Sequence, residues 1–465
     1  MEAFRLSGEA PAFYVENSRS KLSYGELGGR VLALRQLLRQ LPRPALVFQF
    51  SGNNVSAVCV YLACLAEKIP LGLAEPTASA RDGIIRSYAP TAVVIPVGEP
   101  GPIAHRLFCE VPGSELVVWM RDDGASYGVV PDAKLALLLM TSGSTGDAKL
   151  VRLTLANLLA NAAAISSYLA LTPDEIAIQS LPFHYSFGLS VLNSHLLAGG
   201  AIALTRHSFM RPEFWSAFDD CRCTSFAGVP YMYETLHRLR TNPAARPTLK
   251  TLTQAGGSLR PEIARHFNAA AEGGEARLFI MYGQTEATAR IAFVPPERLW
   301  EKIGTIGVAI PGGELWLESV EGESDRQLYY RGANVMMGYA LGPADLARGD
   351  EMKGVLPTGD LADRDADGFF RITGRLSRFA KLFGKRINLA PVEVRAEAKT
   401  GRTAAAIDGG ERLRIFLEGA DGEQVETVRL HIADWLGVPP GAVQVTAIDL
   451  IPLTPSGKKN YKALA

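Results

Sequence analysis

The chain has 465 residues, of which 47% are hydrophobic and 21% are charged, an ordinary composition for a globular protein with about three domains' worth of chain. Lys and Arg total 48 and so do Asp and Glu, so no global charge favours nucleic acid or an anionic membrane as a partner. The longest apolar runs, such as residues 57–66, span about ten residues, whereas a membrane helix needs roughly 20.

The N-terminus shows no apolar signal segment, and the five cysteines are odd in number and scattered. Both features indicate a reducing compartment with buried thiols. Cys221 and Cys223 lack the partners of a zinc site, and we interpret them as core thiols, with a metal site as a remote alternative. We therefore expect a cytoplasmic protein, an enzyme by its size, without a membrane span.

The first elements predict layers of parallel strands and helices. Residues 22–41 have apolar side chains at helical spacing, and Ser23 with Glu26 forms a capping-box pattern at the start of this helix. Residues 45–50 (ALVFQF) predict a strand and residues 53–69 a further helix. The same alternation continues to about residue 290 and is typical of a parallel α/β fold.

Three predicted strands each end in a turn of small residues. Residues 135–140 lead into TSGSTG, 251–254 into AGGSL and 277–281 into YGQTE. In open α/β sheets, ligands bind beyond the carboxyl ends of the strands. The three turns are therefore expected to converge on one ligand, although each turn alone is equally typical of a simple strand connection.

The pattern of predicted elements changes near residue 300. Short alternating strands with frequent glycine turns predict a β-rich part, and after Arg375 a basic stretch leads into a small α/β module of about 90 residues. We place the domain boundary there. The predicted domains are 1–375 and 376–465.

The segment after the strand at 135–140 has the composition of a phosphate-binding loop. Residues 141–146 contain two Ser, two Thr and two Gly, and Lys149 follows. Hydroxyls and free N–H groups can surround phosphate oxygens, glycines permit close approach and lysine adds a positive charge. A P-loop NTPase is disfavoured because Gly146 and Lys149 are three residues apart, where the Walker pattern has them adjacent. On this segment alone, a phosphate loop and a polar surface turn both stay open.

Eight segments together resemble the adenylate-forming ligase superfamily, which comprises acyl- and aryl-CoA synthetases, peptide-synthetase adenylation domains and luciferases. The resemblance covers nearly the whole chain, and the segments occur in the family's order. They are TSGSTGDAK (141–149), PFHYSFG (182–188), AGGSL (255–259), MYGQTEA (281–287), RGANVMMGY (331–339), PTGDL (357–361), GRLSRFAKLFGKRI (374–387) and PLTPSGKKNY (452–461).

The resemblance implies both a fold and a reaction. The fold is α/β: a large N-terminal domain of layered α/β subdomains with a β-rich subdomain, and a small mobile α+β C-terminal domain. A carboxylate attacks the α-phosphate of Mg²⁺-ATP, giving acyl-AMP and pyrophosphate, and a thiol of CoA or of a carrier protein's phosphopantetheine then takes the acyl group. Transfer to an amine and a non-catalytic adenylate-binding homologue are the alternatives.

The resemblance also implies roles around the nucleotide. Glu286 is the expected magnesium ligand, Thr285 contacts the α-phosphate, and Tyr282 stacks on adenine. Asp360 and Arg375 receive the ribose. The other residues expected to bind the nucleotide are Thr141, Ser142, Gly143, Ser144, Thr145, Gly146, Lys149, Gly256, Gly257, Ser258 and Gly283.

Further implied roles lie near the C-terminus. Lys458 is expected to bridge the substrate carboxylate and the α-phosphate, although the adjacent Lys459 leaves room for a shift by one. Ser377 stands at the hinge position, where the family usually has Asp or Lys, and can still serve as a pivot because a hinge needs backbone freedom rather than charge. Lys381 and Gly384 are expected to line the thiol tunnel.

The acid pocket is expected near His184, which by resemblance borders the reacting carboxylate; a hydrogen-bonded core histidine is the alternative. This position lacks the carboxylate with which the amino-acid-activating branch binds an ammonium group, so a free α-amino acid is disfavoured. The expected lining carries no charge and predicts an acid with a neutral or apolar tail. It comprises Tyr185, Gly228, Val229, Met281 and Gln284.

Overall fold

The computed structural model describes residues 4, 6–15, 20–113, 115–140, 149–320, 326–382, 385–410, 412–454 and 457–465. Strands are the more numerous elements of this part of the chain. They are β1 (Pro11–Val15), β2 (Ser20–Ser23), β3 (Val47–Phe50), β4 (Leu71–Ala74), β5 (Ala92–Pro96), β6 (His105–Glu110), β7 (Leu116–Arg121), β8 (Leu135–Met140), β9 (Leu150–Thr154), β10 (Ile176–Ile178), β11 (Ala201–Leu204), β12 (Ser225–Gly228), β13 (Thr251–Gln254), β14 (Arg277–Tyr282), β15 (Ala292–Val294), β16 (Val308–Ala309), β17 (Glu314–Glu318), β18 (Arg326–Arg331), β19 (Gly338–Ala340), β20 (Val355–Arg364), β21 (Phe370–Arg375), β22 (Phe379–Leu382), β23 (Lys385–Asn388), β24 (Ala404–Asp408), β25 (Leu413–Glu418) and β26 (Val443–Ile448).

The α-helices connect the strands. They are α1 (Tyr24–Leu38), α2 (Val55–Ala66), α3 (Ala78–Tyr88), α4 (Leu155–Tyr168), α5 (Ser186–Ala198), α6 (Pro212–Asp220), α7 (Pro230–Arg238), α8 (Pro261–Gly273), α9 (Leu299–Lys302), α10 (Leu389–Thr400) and α11 (Gly422–Leu436). Across the described ranges, none of these helices combines the length and the apolarity that crossing a membrane requires.

The chain divides into two compact units. Unit 1 comprises Met1–Ile303, Ala309–Glu314 and Arg331–Leu356. Unit 2 comprises Gly304–Val308, Leu315–Tyr330 and Pro357–Ala465. Strand β21 and most of β20 thus fall in unit 2, ahead of the predicted domain boundary after Arg375. Independent movement of residues 376–465 stays a prediction.

Unit 1 contains two sheets with parallel centres. The first has the order β15, β14, β13, β12, β10, β11, β1, β2, with antiparallel pairs at its two ends. The second is eight-stranded, in the order β19, β9, β8, β4, β3, β5, β7, β6. Helices α1, α2, α4 and α5 contribute buried residues to one core that also takes side chains from both sheets. This layered arrangement confirms the predicted α/β class.

Local signals in the sequence explain where several elements begin. Ser23 caps α1 and forms the predicted capping box with Glu26, whose carboxylate accepts from the Ser23 N–H at 2.7 Å. The helix keeps Leu27, Val31, Leu34 and Leu38 buried on one face. The predicted strands at 135–140 and 251–254 match β8 and β13, and Cys221 and Cys223 are buried free thiols.

Unit 2 is built around small sheets, as expected for a β-rich part followed by an α/β module. A four-stranded sheet (β17, β18, β20, β21) lies mainly in this unit. The strands β24, β25 and β26 form a three-stranded sheet, and α10 and α11 bury residues such as Val392, Val428 and Ile432 in the core of the module.

Candidate active site

Two of the predicted ligand-binding turns lie side by side in unit 1. Strands β12, β13 and β14 are parallel neighbours, so their carboxyl ends, and the turns AGGSL and YGQTE, share one edge of the first sheet. Gly256 has φ +89, and a Cβ there would stand 2.6 Å from the hydroxyl of Tyr185. A Cβ at Gly283 would lie 1.7 Å from the carbonyl oxygen of Ala289. These positions need glycine because the backbone packs closely there.

The third turn follows β8 of the second sheet in the chain and lies outside the described residues, but Lys149, which comes after it, is described. Lys149 Nζ lies 3.4 Å from the ring centroid of Tyr339, and the hydroxyl of Tyr339 donates a hydrogen bond to Glu286 Oε1 at 2.8 Å. Lys149 precedes β9, Tyr339 lies in β19 and Glu286 follows β14. Parts of both sheets therefore meet at one lysine–tyrosine–glutamate cluster, while the convergence of all three turns on one ligand stays a prediction.

A buried amide side chain and a buried hydroxyl hold the segment that carries Tyr339 against the turn that carries Glu286. Asn334 donates from Nδ2 to the carbonyl oxygens of Ala287 and Arg290, both at 2.8 Å. Thr288 donates from its hydroxyl to the carbonyl oxygen of Asn334 at 2.6 Å. Since Asn334 is 3% exposed, these bonds exchange little with water and fix the positions of both segments.

Polar side chains extend the cluster along the same edge. The hydroxyl oxygens of Thr285 and Ser186 are 3.2 Å apart, which joins the YGQTE turn to the start of α5. Gln284 donates from Nε2 to the hydroxyl of Tyr282 at 3.1 Å. The structure thus brings together Thr285, Tyr282 and Gln284, for which the sequence predicted contacts with the nucleotide or the acid.

His184 lies just before α5 and carries a buried Nδ1 atom that has no hydrogen-bond partner among the described residues. This disfavours the alternative of a hydrogen-bonded core histidine. Burial lowers the pKa of His184 to about 4. The imidazole is therefore neutral at pH 7, and it presents a polar atom rather than a charge.

The buried His184 predicts a pH-dependent stability. Between about pH 6.5 and pH 4 the unfolded chain binds a proton at this residue that the folded chain excludes, so stability falls as the pH falls through this window. We expect the wild type to lose about 2 kcal/mol more than His184→Gln between pH 7 and pH 5. Denaturant unfolding at both pH values measures the difference, with the exposed His207→Gln as control. An equal loss in the wild type and His184→Gln would contradict the neutral, buried imidazole.

In unit 2 the two residues predicted to bind ribose form an ion pair. Asp360 and Arg375 are cross-strand partners in β20 and β21, and Arg375 Nε lies 2.7 Å from Asp360 Oδ1. Asp360 is 1% exposed, whereas the Arg375 side chain is 54% exposed. The guanidinium holds the buried carboxylate in place through a charge-assisted hydrogen bond.

The C-terminal lysines differ clearly in their surroundings. Lys459 Nζ lies 2.9 Å from Glu397 Oε1 and 3.5 Å from Glu393 Oε2. Although burial opposes the charged form, these two carboxylates raise the pKa of Lys459. The backbone N–H of Lys458 donates to the hydroxyl of Thr454 at 3.1 Å. Lys459 is thus bound to carboxylates of its own unit, and the function of Lys458 as the bridging lysine stays a prediction.

Ser377 occupies an exposed turn between β21 and β22, and its function as a hinge stays a prediction. Several other predicted residues fall on parts of the chain that the structure does not describe. The side chain of Lys381 and all of Gly384 lie outside the described residues. So do Thr141, Ser142, Gly143, Ser144, Thr145 and Gly146.

One buried residue was missed by the sequence analysis and changes the interpretation of the acid pocket. Arg290 is 2% exposed and lines a cavity together with Ala227 and the predicted pocket residue Met281. A basic residue thus lies beside the predicted lining, and the expectation of an uncharged lining stays a prediction. The basic residue follows the YGQTEA motif by three positions, but only the packing of separate elements shows that it points inward.

A family model described as AMP-binding enzyme matches residues 2–340. The chain belongs to this family. A feruloyl-CoA synthase from Amycolatopsis sp is 29% identical, covering 98% of this chain and 95% of its own length. An L-proline–[L-prolyl-carrier protein] ligase from Streptomyces coelicolor is 30% identical over 71% of this chain and 65% of its own length. The solved structure of o-succinylbenzoate CoA synthetase from Bacillus subtilis shares the fold, with a TM-score of 0.77, 19% identity and coverage of 100% of this chain and 97% of that chain.

The predicted family, fold and activity are thereby confirmed. This member of the family is an AMP-forming acid–thiol ligase. It activates a carboxylic acid with ATP as acyl-AMP, releases pyrophosphate and transfers the acyl group to a thiol.

Proposed function

We propose that the cluster of Lys149, Tyr339 and Glu286 holds the phosphates and the Mg²⁺ ion of ATP at the shared sheet edge, and that Lys458 is the catalytic lysine of adenylation. The observation that carries this proposal is the chain of contacts from Lys149 through Tyr339 to Glu286. It places a cation and a carboxylate, the groups that triphosphate and its metal ion require, at one point.

The side chains present suit Mg²⁺ bound with a nucleotide rather than a metal ion bound by protein alone. Within the described ranges, no group of three or more His, Cys, Asp and Glu residues could hold a metal. Mg²⁺ is usually held by one or two carboxylates together with substrate phosphates and water. Glu286 supplies one such carboxylate. When bound, the ion neutralises phosphate charge while pyrophosphate leaves.

The protein's own groups then offset the repulsion between the two reacting anions. A carboxylate must approach the anionic α-phosphate, and two anions repel each other. Lys149 offsets charge on the leaving phosphates, Thr285 donates a hydroxyl hydrogen bond to the α-phosphate, and Lys458 lies between the two reacting anions. His184, neutral at pH 7 because burial lowers its pKa, borders the acid without adding charge. In this arrangement the enzyme stabilises the transition state mainly by electrostatics and positioning.

For the acceptor we propose the thiol of a phosphopantetheine arm, which CoA and carrier proteins share. Both kinds of acceptor occur among the relatives: the feruloyl-CoA synthase and the prolyl-carrier protein ligase are named for them. We further propose a cytoplasmic enzyme, supported by five free cysteines.

A panel of carboxylic acids read out by pyrophosphate release from Mg²⁺-ATP tests the activity. We expect acid-dependent release, and thioester formation when CoA or a phosphopantetheinylated carrier protein is added. Amines are included as acceptors, because an amide as the only product would contradict the thiol acceptor. Absence of pyrophosphate release and of exchange into ATP across a broad panel would indicate a non-catalytic homologue.

The proposed metal ligand predicts a change in the magnesium titration. Glu286→Gln replaces a charged oxygen ligand with a neutral one, and we expect the Mg²⁺ concentration for half-maximal pyrophosphate release to rise about 100-fold. Tyr339→Phe removes only the hydrogen bond that orients this carboxylate, so we expect a rise of about 10-fold. The exposed Glu297→Gln serves as control. A titration of Glu286→Gln that matches the wild type would exclude this residue from the metal site.

A further inference from the structure

A small cavity lies between helices α4 and α5 and the strands β10, β12, β13 and β14 of unit 1. Its volume is about 20 Å³, which suits a small polar group rather than a long chain. Met281 and Ala227 line the cavity and directly precede Tyr282 and Gly228. The cavity therefore adjoins the predicted acid pocket, of which Met281 is a member.

Arg290 brings a positive charge to this cavity. Its guanidinium lies 3.9 Å from the ring centroid of Phe187, and its Nε lies 3.4 Å from the sulfur of Met281. The titratable groups that act on it are the hydroxyls of Tyr168 and Tyr185, and no carboxylate of the described residues pairs with it. An arginine stays protonated in proteins, and a buried charge without a counter-ion is costly. The site therefore favours an incoming anion.

His195, the other titratable residue that lines the cavity, is neutral. His195 has its Nδ1 atom 2.9 Å from the carbonyl oxygen of Val191, which places the ring proton on Nδ1 because a carbonyl can only accept. Its Nε2 atom is buried without a partner among the described residues. Burial lowers the pKa of His195. Of the described side chains that line the cavity, Arg290 thus supplies the one charge.

The backbone around Arg290 is held in a fixed and unusual conformation. Ala289 has φ +109, a region that residues other than glycine rarely adopt. The carbonyl oxygen of Arg290 accepts hydrogen bonds from Asn161 at 3.1 Å and from Asn334 at 2.8 Å. These bonds hold the residue in place before any substrate binds, so the cation is preorganised.

We propose that the acid substrate carries a second anionic group, such as the far carboxylate of a short dicarboxylic acid, which Arg290 binds in this cavity. The inference rests on the proposed function, since it assigns the substrate class of the same site. One carboxylate is activated beside the phosphates, while the other forms charge-assisted hydrogen bonds with the guanidinium. The small volume of the cavity limits the anionic group at Arg290 to one about as large as a carboxylate.

The test compares dicarboxylic acids of three to six carbons with their monomethyl esters and with unbranched monocarboxylic acids of equal length. Pyrophosphate release with saturating Mg²⁺-ATP gives kcat/KM for each acid. We expect the wild type to prefer one dicarboxylic acid over its monomethyl ester by about 100-fold or more, because the ester leaves the buried cation unpaired. Arg290→Met should remove or invert this preference, and Arg290→Lys should retain part of it. Arg277→Met, at an exposed arginine of β14, is the control.

The outcomes separate this inference from the proposed function. No pyrophosphate release with any acid would overturn the proposed function itself. Release with monocarboxylic acids and no preference of the wild type for a second anionic group would overturn the inference alone. An unchanged preference in Arg290→Met, combined with lower thermal stability, would show that Arg290 is a structural residue. If Arg290→Met does not fold, the wild-type preference and its partial retention in Arg290→Lys decide the question.

Discussion

Lys458→Ala is expected to slow acyl-adenylate formation by about 10²–10³-fold, because the variant loses the positive charge that lies between the two reacting anions. Thioester formation from added acyl-adenylate should be retained, since the carboxylate and the α-phosphate are then already joined. Single-turnover pyrophosphate release measures the first half-reaction, and thiol consumption with supplied acyl-adenylate measures the second. Equal losses in both halves would contradict the assignment of Lys458.

Two neighbouring lysines provide controls for this experiment. Lys462→Ala removes an exposed charge from the same C-terminal segment and should leave both half-reactions unchanged. Lys459→Ala should instead lower the stability of unit 2, because Glu393 and Glu397 lose their common cation. A selective loss of adenylation in Lys459→Ala, with Lys458→Ala unaffected, would mean that the assignment is shifted by one residue.

Arg152→Met is expected to lower the free energy of unfolding by about 3–5 kcal/mol. The Arg152 side chain is 0% exposed, and it pairs with Glu351 and donates to the carbonyl oxygen of Tyr339 at 3.2 Å. It also donates to the carbonyl oxygens of Arg348 and Met337. Methionine fills much of the space but leaves these acceptors unsatisfied.

The same substitution should weaken nucleotide binding, because Arg152 holds the strand that carries Tyr339. Denaturant unfolding gives the stability, and the KM for ATP measured well below the melting temperature gives the effect on binding. Arg331→Met, which removes an ion pair with Glu314 in which both side chains are 60% exposed, is the control and should cost less than about 1 kcal/mol. A loss of less than about 1 kcal/mol in Arg152→Met as well would show that the buried cluster contributes little to the free energy of unfolding.

Much of the fold could be predicted because its signals are local. The Ser23 and Glu26 pattern fixes the start of α1, since both partners lie within one helical turn. The strands at 135–140 and 251–254 stand out because short apolar runs end in turns of small residues. The family and its reaction were predicted from the resemblance of eight segments, which occur along the chain in the family's order.

Residues whose surroundings depend on a distant partner were harder to predict. The ion pairs of Lys459 with Glu393 and Glu397, more than 50 residues away, cannot be predicted from its neighbours in the chain. The burial of Arg290 was missed for the same reason. Arg290 is an ordinary basic residue in sequence, and its contact with Phe187 exists only because α5 lies next to the segment between β14 and β15.

The amino-acid sequence by itself therefore determined the layered α/β class and the glycine turns at the strand ends, which follow from residue types that are close in the chain. It also carried the eight segments whose resemblance to the adenylate-forming ligases implied the reaction. The tertiary structure decided that Lys459 pairs with Glu393 and Glu397, that Lys149, Tyr339 and Glu286 meet, and that Arg290 is buried beside Met281. Burial and pairing of charges are long-range properties, because strand order and helix packing set the distances between groups that are far apart in sequence.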